Sequence, residues 1–342
     1  MAPLFVKKWR KNMDKAILKQ CFHNMLFVEE QEWGLVPFRY TKKQCAFYDT
    51  ITYGIIMGDK ARMSAGITLE FDTDADEMTL VWQIAGGYPA NTKDRGSSLD
   101  VFVDGTLRHQ KMITCEWHEE QRDTFVLPKG QKRVKVMLPH TYIFGLKDII
   151  LTDGATLTPV PQREKKILMM GDSITQGIGA QFACTGYAMQ TGLGLDCECV
   201  NQSIAAVRFE SEGLDNDGFT PDLITVALGT NDWSGWKDRA EYDERAGRFM
   251  ARMNELYPGV PVYFLSPVKR CRGEADREEM YAEAELKDVL ARLCAPYPQM
   301  QVVDGWKLMP HTNAFFSDGL HPNDLGMTVY AHSVIDIIKE KL

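Results

Sequence analysis

Up to about residue 160 the apolar positions recur in short alternating or β-branched runs, as at 62–71, 78–84 and 99–103. Such a period of two is the signature of strands with one buried face. Asp104-Gly105 is a hairpin signal leading into a further strand at 106–110. Runs at 124–127, 132–138 and 148–151 continue the pattern, punctuated by Pro128-Lys129-Gly130 and Asp153-Gly154. Strands at this spacing, without long helical periods between them, predict an all-β sandwich of the jelly-roll kind. Residues 158–166 are polar and carry two prolines, Pro159 and Pro161. They place a domain boundary near 160, giving domains of 1–160 and 161–342.

Beyond that boundary the rhythm changes to strand and helix in alternation. Strands are predicted at 166–170, 196–201, 223–228, 260–266 and 300–303. Helical spacing appears at 238–256, where Ala246, Phe249, Met250 and Met253 share a face, and at 276–294, with Leu286, Val289, Leu290 and Leu293. It returns at 323–339 with Val329, Tyr330, Val334 and Ile338. Five strands alternating with helices predict a parallel sheet covered on both faces.

Composition narrows the function classes. Among 342 residues, 44% are hydrophobic and 25% charged, the profile of a folded globular chain. A net charge of −8 argues against a nucleic-acid partner, which calls for a basic stripe. The basic cluster Lys7, Lys8, Arg10, Lys11 and Lys15 reads as a solvated terminus. No apolar stretch of signal-peptide kind follows it, and no run approaches the roughly 20 residues of a membrane span. A cytoplasmic location without membrane association is expected, with a secreted form whose signal has been removed as the alternative. The 8 cysteines are scattered through a long chain, which fits reduced thiols. Cys197 and Cys199 form a C-x-C without a partner pair at ligand spacing, so no metal and no cofactor is expected.

In open α/β sheets the reactive groups gather at the carboxyl ends of the strands. The first predicted strand of the second half runs into Gly171-Asp172-Ser173-Ile174, placing Ser173 where strand gives way to helix. A plain helix cap is the other reading of that serine. The third strand runs into Gly229-Thr230-Asn231-Asp232, where Asn231 can offer its Nδ2 to an oxyanion. After the last strand comes Asp318-Gly319-Leu320-His321-Pro322. The spacing lets Asp318 fold back onto Nδ1 of His321, leaving Nε2 free to take a serine proton. A nucleophile, its base, the base's orienter and an oxyanion donor thus fall at strand ends of one sheet.

These blocks resemble the SGNH/GDSL hydrolases, a family of serine esterases. Gly171-Asp172-Ser173-Ile174 is similar to the family's first block with isoleucine for leucine; Gly229 to Asp232 and Asp318 to Pro322 match its third and fifth. The second block departs: in place of Asn-x-Gly stands Asn201-Gln202-Ser203-Ile204-Ala205-Ala206. The resemblance implies a three-layer flavodoxin-like α/β domain with Ser173, His321 and Asp318 as triad. It further implies oxyanion donors at the N–H of Ser173 and Ser203 and the side chain of Asn231. Parts of the first half, 62–66 with 71–74 and 99–104, resemble the β-sandwich that precedes some bacterial SGNH esterases acting on acetylated carbohydrates.

The expected function is therefore a serine esterase removing O-acetyl groups from a small-molecule or oligosaccharide substrate. A lipase or thioesterase on longer acyl chains and a non-catalytic sugar-binding protein are the alternatives. Gln176 and Trp233 are candidate substrate contacts, with water-facing and core-packing roles as their bland counterparts; Trp236, Phe315, Phe316 and Arg208 are weighed in the same way. Asp72-Thr73-Asp74-Ala75-Asp76 opens like a calcium loop but lacks the glycine and the closing glutamate, so a turn is expected. The number of subunits is not legible.

Overall fold

A computed structural model describes residues 13–53, 57–88, 97–273 and 277–342. Four of the basic N-terminal positions (Lys7, Lys8, Arg10 and Lys11) lie outside the described residues.

The alternating runs of the first half form two antiparallel sheets. One has strands Phe22–His23, Thr68–Thr73, Lys132–Met137, Ser98–Val103 and Thr106–Met112 in that spatial order, with Leu157–Pro159 pairing Thr68–Thr73. The other has Phe27–Gln31, Gly34–Phe38, Tyr142–Leu151, Glu77–Gly87 and Gln121–Val126. Their inner faces meet in one apolar core that includes Leu69, Phe71, Val101, Val134 and Val136 from the first and Leu80, Trp82, Phe144 and Leu146 from the second. This is a β-sandwich. The hairpin at Asp104-Gly105 has φ of 49° and 76°, the doubly left-handed turn whose twist suits paired strands.

Sequence reading errs here at 62–67. Met57–Arg62 is a helix, and the strand begins only at Thr68. The apolar positions Met57, Ala61 and Met63 pack into a core shared with the second half, so tertiary burial rather than a strand period set their spacing.

The second half is a parallel sheet of five strands. In chain order they are Lys166–Gly171, Glu198–Ser203, Leu223–Ala227, Val262–Leu265 and Met300–Val303. Their spatial order is second, first, third, fourth, fifth. The first strand is therefore flanked by the second and third, and the order reverses beside it, which opens a crevice at the carboxyl ends. Helices cover both faces: Arg239–Leu256 and Leu286–Cys294 on one, Tyr187–Leu195 and Asp324–Ile338 on the other. Asp238 and Asn323 cap two of these helices through their side chains, which is why the periodic stretches start there. The helix expected at 276–294 is shorter. It occupies Leu286–Cys294, preceded by one 3-10 turn at Glu283–Glu285, because the apolar face begins only at Leu286; position 276 lies outside the described residues.

The halves share a core. Val36, Phe38, Tyr48, Met57 and Ala61 cluster with Leu168, Val200, Ile224 and Phe249. The N-terminal segment thereby packs against the second-strand side of the parallel sheet and reaches the loops at its carboxyl end.

Candidate active site

The first parallel strand ends at Gly171, and a four-residue helix, Ser173–Gln176, starts two residues later. A Cβ on Gly171 would lie 1.9 Å from Thr175 Oγ1, so only glycine lets the chain fold back this tightly. Asp172 caps the turn, its Oδ1 accepting from Ile174 N–H at 3.0 Å. Ser173 is left at the crevice, 6% exposed. Its Oγ lies 2.9 Å from Nε2 of His321. Nδ1 of His321 lies 2.8 Å from Asp318 Oδ2. The other carboxylate oxygen of Asp318 accepts the backbone N–H of Leu320 at 2.9 Å and of His321 at 2.8 Å. Burial pushes the Asp318 carboxyl up, but those N–H groups and the imidazole outweigh it and hold it at about 2. The structure thus brings Ser173, His321 and Asp318, which are up to 148 residues apart in sequence, into one hydrogen-bonded line.

His321 depends on a second close approach. A Cβ on Gly179, whose φ is +102°, would stand 2.3 Å from Pro322 O and 2.8 Å from His321 Cβ. The absence of a side chain at 179 is what allows the histidine loop to settle over the serine loop.

Asn231 follows Gly229, which takes φ +115° at the end of the third strand. Nδ2 of Asn231 donates to Val207 O at 3.2 Å and lies 3.4 Å from Asp172 Oδ2. It therefore stands between the serine loop and the loop after the second strand.

Ser203 is not brought to the site. The N–H groups of Glu198 and Ile204 donate to the carbonyls of Lys165, just before the first strand, and of Gly171 at its end, while that of Cys199 donates outward to Asn24 Oδ1. Strand alternation puts the N–H of Ser203 in phase with Cys199, facing away from Ser173. Its hydroxyl bonds Asn201 Oδ1 at 2.5 Å instead. Three residues on, Ala206 takes φ +72°, a left-handed conformation that glycine ordinarily supplies. The N–H groups of Ala206 and Ser173 have no hydrogen-bond partner among the described residues. Sequence reading misses Ala206 because alanine carries no signal of a left-handed turn.

The two candidate substrate contacts are placed elsewhere. Gln176 is 2% exposed; its Oε1 accepts Ala205 N–H at 2.8 Å and its Nε2 faces His140 O at 3.4 Å and Met63 Sδ at 3.0 Å. It braces the second loop and has no atom left for substrate. Trp233 is 4% exposed, its Nε1 donating to Tyr281 O at 2.7 Å and its ring covered by Arg270 at 4.7 Å. It belongs to the core, as do Trp236 and Phe316, while Phe315 is half-buried against it. Arg208 stacks over Tyr53 at 4.4 Å. Asp72 and Thr73 still belong to a strand, Asp72 paired with Arg133 at 2.9 Å, and the turn follows from Asp74, whose carboxylate accepts Thr156 N–H.

Residues 169–329, which hold every element of this arrangement, match the GDSL-like lipase/acylhydrolase family. The chain carries a GDSL-like lipase/acylhydrolase domain. It is accordingly a carboxylic ester hydrolase. Solved structures resemble it over nearly the whole length. A putative GDSL-like lipase from Bacteroides ovatus is 16% identical with a TM-score of 0.79, covering 97% of each chain. A salicylyl-acyltransferase from a tetracycline biosynthetic pathway is 20% identical with a TM-score of 0.76, covering 92% of each. A family two carbohydrate esterase from Clostridium thermocellum, solved with cellohexaose, is 14% identical with a TM-score of 0.63, covering 82% of this chain and 93% of its own. No curated protein matches the chain. No helix among the described residues is long and apolar enough to cross a membrane.

Two buried carboxyls lie behind the reactive groups of this GDSL-like domain. Burial pushes Asp172 up to about 6, against the Ile174 N–H and Arg270. Burial likewise pushes Asp232 up to about 8, against the Phe209 N–H that its Oδ1 accepts at 2.8 Å. Asp172 adds to that rise by like charge. A protonated Asp232 avoids burying a second negative charge close to that of Asp172.

Proposed function

We propose that the protein is a serine esterase that removes O-acetyl groups from carbohydrates through an acyl-enzyme intermediate. The observation that carries the reading is the continuous contact from Ser173 Oγ through His321 to Asp318. Asp318 holds the Nδ1–H tautomer of His321, so Nε2 takes the Ser173 proton as Oγ attacks the acetyl carbonyl carbon. The tetrahedral oxyanion is met by the N–H groups of Ser173 and Ala206 and the amide of Asn231, with Ala206 replacing Ser203 in the role expected from sequence. Collapse breaks the bond to the sugar oxygen, which leaves with the proton from His321. Water then attacks acetyl-Ser173, gives its proton to His321, and acetate departs as Ser173 regains its hydrogen.

Carbohydrate as the alcohol is supported by architecture: the combination of a β-sandwich with this parallel-sheet domain is shared with a carbohydrate esterase solved with a cello-oligosaccharide. The acyltransferase of the same build favours a second reading, transfer of the acyl group to an acceptor other than water. Acetate release from acetylated manno- and xylo-oligosaccharides, wild type against Ser173→Ala, tests the proposal. Release lost in the variant supports it. Hydrolysis of butyryl or longer 4-nitrophenyl esters in preference to acetyl ones, or a product ester formed with an added alcohol in place of acetate, refutes it. Sugar binding with no Ser173-dependent turnover does so too.

A further inference from the structure

The loop that bears Ala206 is held from below by two buried cations of the N-terminal half. Arg39 is fully buried and donates Nε to Met63 O at 2.6 Å, Nη2 to Lys60 O at 3.1 Å, and Nη1 to Ser203 O at 3.2 Å and to Asn201 O. It thereby fixes the helix Met57–Arg62 against the end of the second parallel strand. Lys60, on that helix and 2% exposed, donates from Nζ to Ala205 O at 2.8 Å. Its ammonium also lies 5.9 Å from the centre of the Tyr88 ring.

Ala205 O and Ala206 N–H belong to one peptide unit. No peptide bond among the described residues is cis, so the carbonyl and the N–H of this unit point in opposite directions. With the carbonyl directed at Lys60, the N–H is directed away from the N-terminal half. On that other side Val207 O meets Asn231 Nδ2. The preceding peptide is fixed as well, Ala205 N–H donating to Gln176 Oε1 at 2.8 Å. An ammonium at the carbonyl oxygen draws electron density from the amide nitrogen and makes its N–H a stronger donor in a low-dielectric site. Burying a lysine at all is costly, which argues that its charge is placed for a reason beyond filling space.

We infer that Lys60 is a positioning residue of the esterase reaction: from the N-terminal half it orients and polarises the Ala205–Ala206 peptide, so that its N–H meets the oxyanion. This rests on the reading of Ser173 as nucleophile and Ala206 as donor given above. The N-terminal half would then take part in catalysis without touching substrate.

The test uses the full chain, 4-nitrophenyl acetate and a short alkylboronic acid, which adds to a serine as a tetrahedral anion. Lys60→Met keeps length and packing but removes the charge and the donor. Loss of a direct oxyanion donor costs about 10²–10³ in kcat; an indirect contribution is expected to cost at least roughly tenfold, with KM within about twofold. Boronate affinity is expected to fall by the same factor as kcat/KM, and Lys60→Arg to recover a large part of both. A merely structural lysine would lower the melting temperature without this split between kcat and KM. Folded Lys60→Met with wild-type kcat and boronate affinity overturns the inference, as does a change confined to KM. If Lys60→Met does not fold, Lys60→Gln decides by the same criteria, and failure of both to fold assigns Lys60 to folding alone and overturns it. Wild-type chain without Ser173-dependent hydrolysis would instead bring down the esterase reading itself, so the two failures are distinguishable.

Discussion

Replacing Asp318 by asparagine tests the catalytic geometry with little disturbance to the fold. Asp318 makes two kinds of contact: Oδ1 accepts two backbone N–H groups, and Oδ2 faces Nδ1 of His321 at 2.8 Å. In Asp318→Asn the remaining carbonyl oxygen can keep the backbone N–H groups, so the loop is expected to stay in place. The new NH₂ then faces Nδ1, which must become an acceptor, and the histidine proton moves to Nε2. A protonated Nε2, 2.9 Å from Ser173 Oγ, has no lone pair for the serine proton. A wrong tautomer in intact geometry lowers kcat by about 10⁴, or about 5 kcal/mol of barrier at about 1.4 kcal/mol per decade. The assay is steady-state hydrolysis of 4-nitrophenyl acetate from pH 4 to pH 9, with melting temperature recorded alongside. KM and melting temperature are expected to stay near wild type while kcat collapses. In wild type the carboxyl is held at about 2, so it remains ionised throughout this range. Its stabilising contribution is present above the ordinary carboxylate value and is lost only as pH falls through about 2. Asp318 is therefore expected to add no proton of its own to the acid limb of wild-type kcat/KM over this range. A loss below about tenfold in Asp318→Asn would refute the assignment of Asp318 as the orienter of the base.

Three further outcomes follow from the structure. Asp232, raised by burial to about 8, favours the folded state fully at low pH and loses that contribution as pH rises through the raised value; urea unfolding is expected to show stability falling between pH 5 and pH 9, and Asp232→Asn to lessen that fall, whereas an unchanged slope would contradict a protonated Asp232. Gly179→Ala places a Cβ 2.8 Å from that of His321, so kcat is expected to drop by at least roughly tenfold while the chain stays folded; full activity would show that the histidine loop does not rely on this approach. Trp233→Ala is expected to lower stability by about 3–5 kcal/mol, seen as reduced melting temperature, while Trp233→Phe leaves KM for oligosaccharide esters unchanged; a raised KM in the phenylalanine variant would restore the tryptophan as a sugar contact.

Local pattern was enough to predict the five strands of the parallel sheet and the two long helices at 239–256 and 324–338. The strand ends at Gly171, Gly229 and the Asp318–His321 turn are legible because each block packs its chemistry and its turn residues into a few neighbouring positions. Alternation along 78–84, 99–103 and 132–138 was equally readable, since period-two burial is written into consecutive residues. Short strands such as Phe22–His23 and Gly34–Phe38, and the helix Met57–Arg62, carry too few turns for a period to show. Roles that depend on distant partners were beyond reach for a different reason. Trp233 and Gln176 lie beside the blocks in sequence, yet folding turns both into the core, where Tyr281 O and Ala205 N–H claim their polar atoms. Ala206 takes a left-handed φ that its side chain does not advertise, and Lys60, 145 residues from Ala205, meets it only across the junction of the two halves. The sequence alone determined which atoms are available for chemistry and near which strand ends they lie. Only the tertiary structure decided which backbone N–H groups face the serine and which cations stand behind them, because those directions depend on strand phase and on packing between segments far apart in the chain.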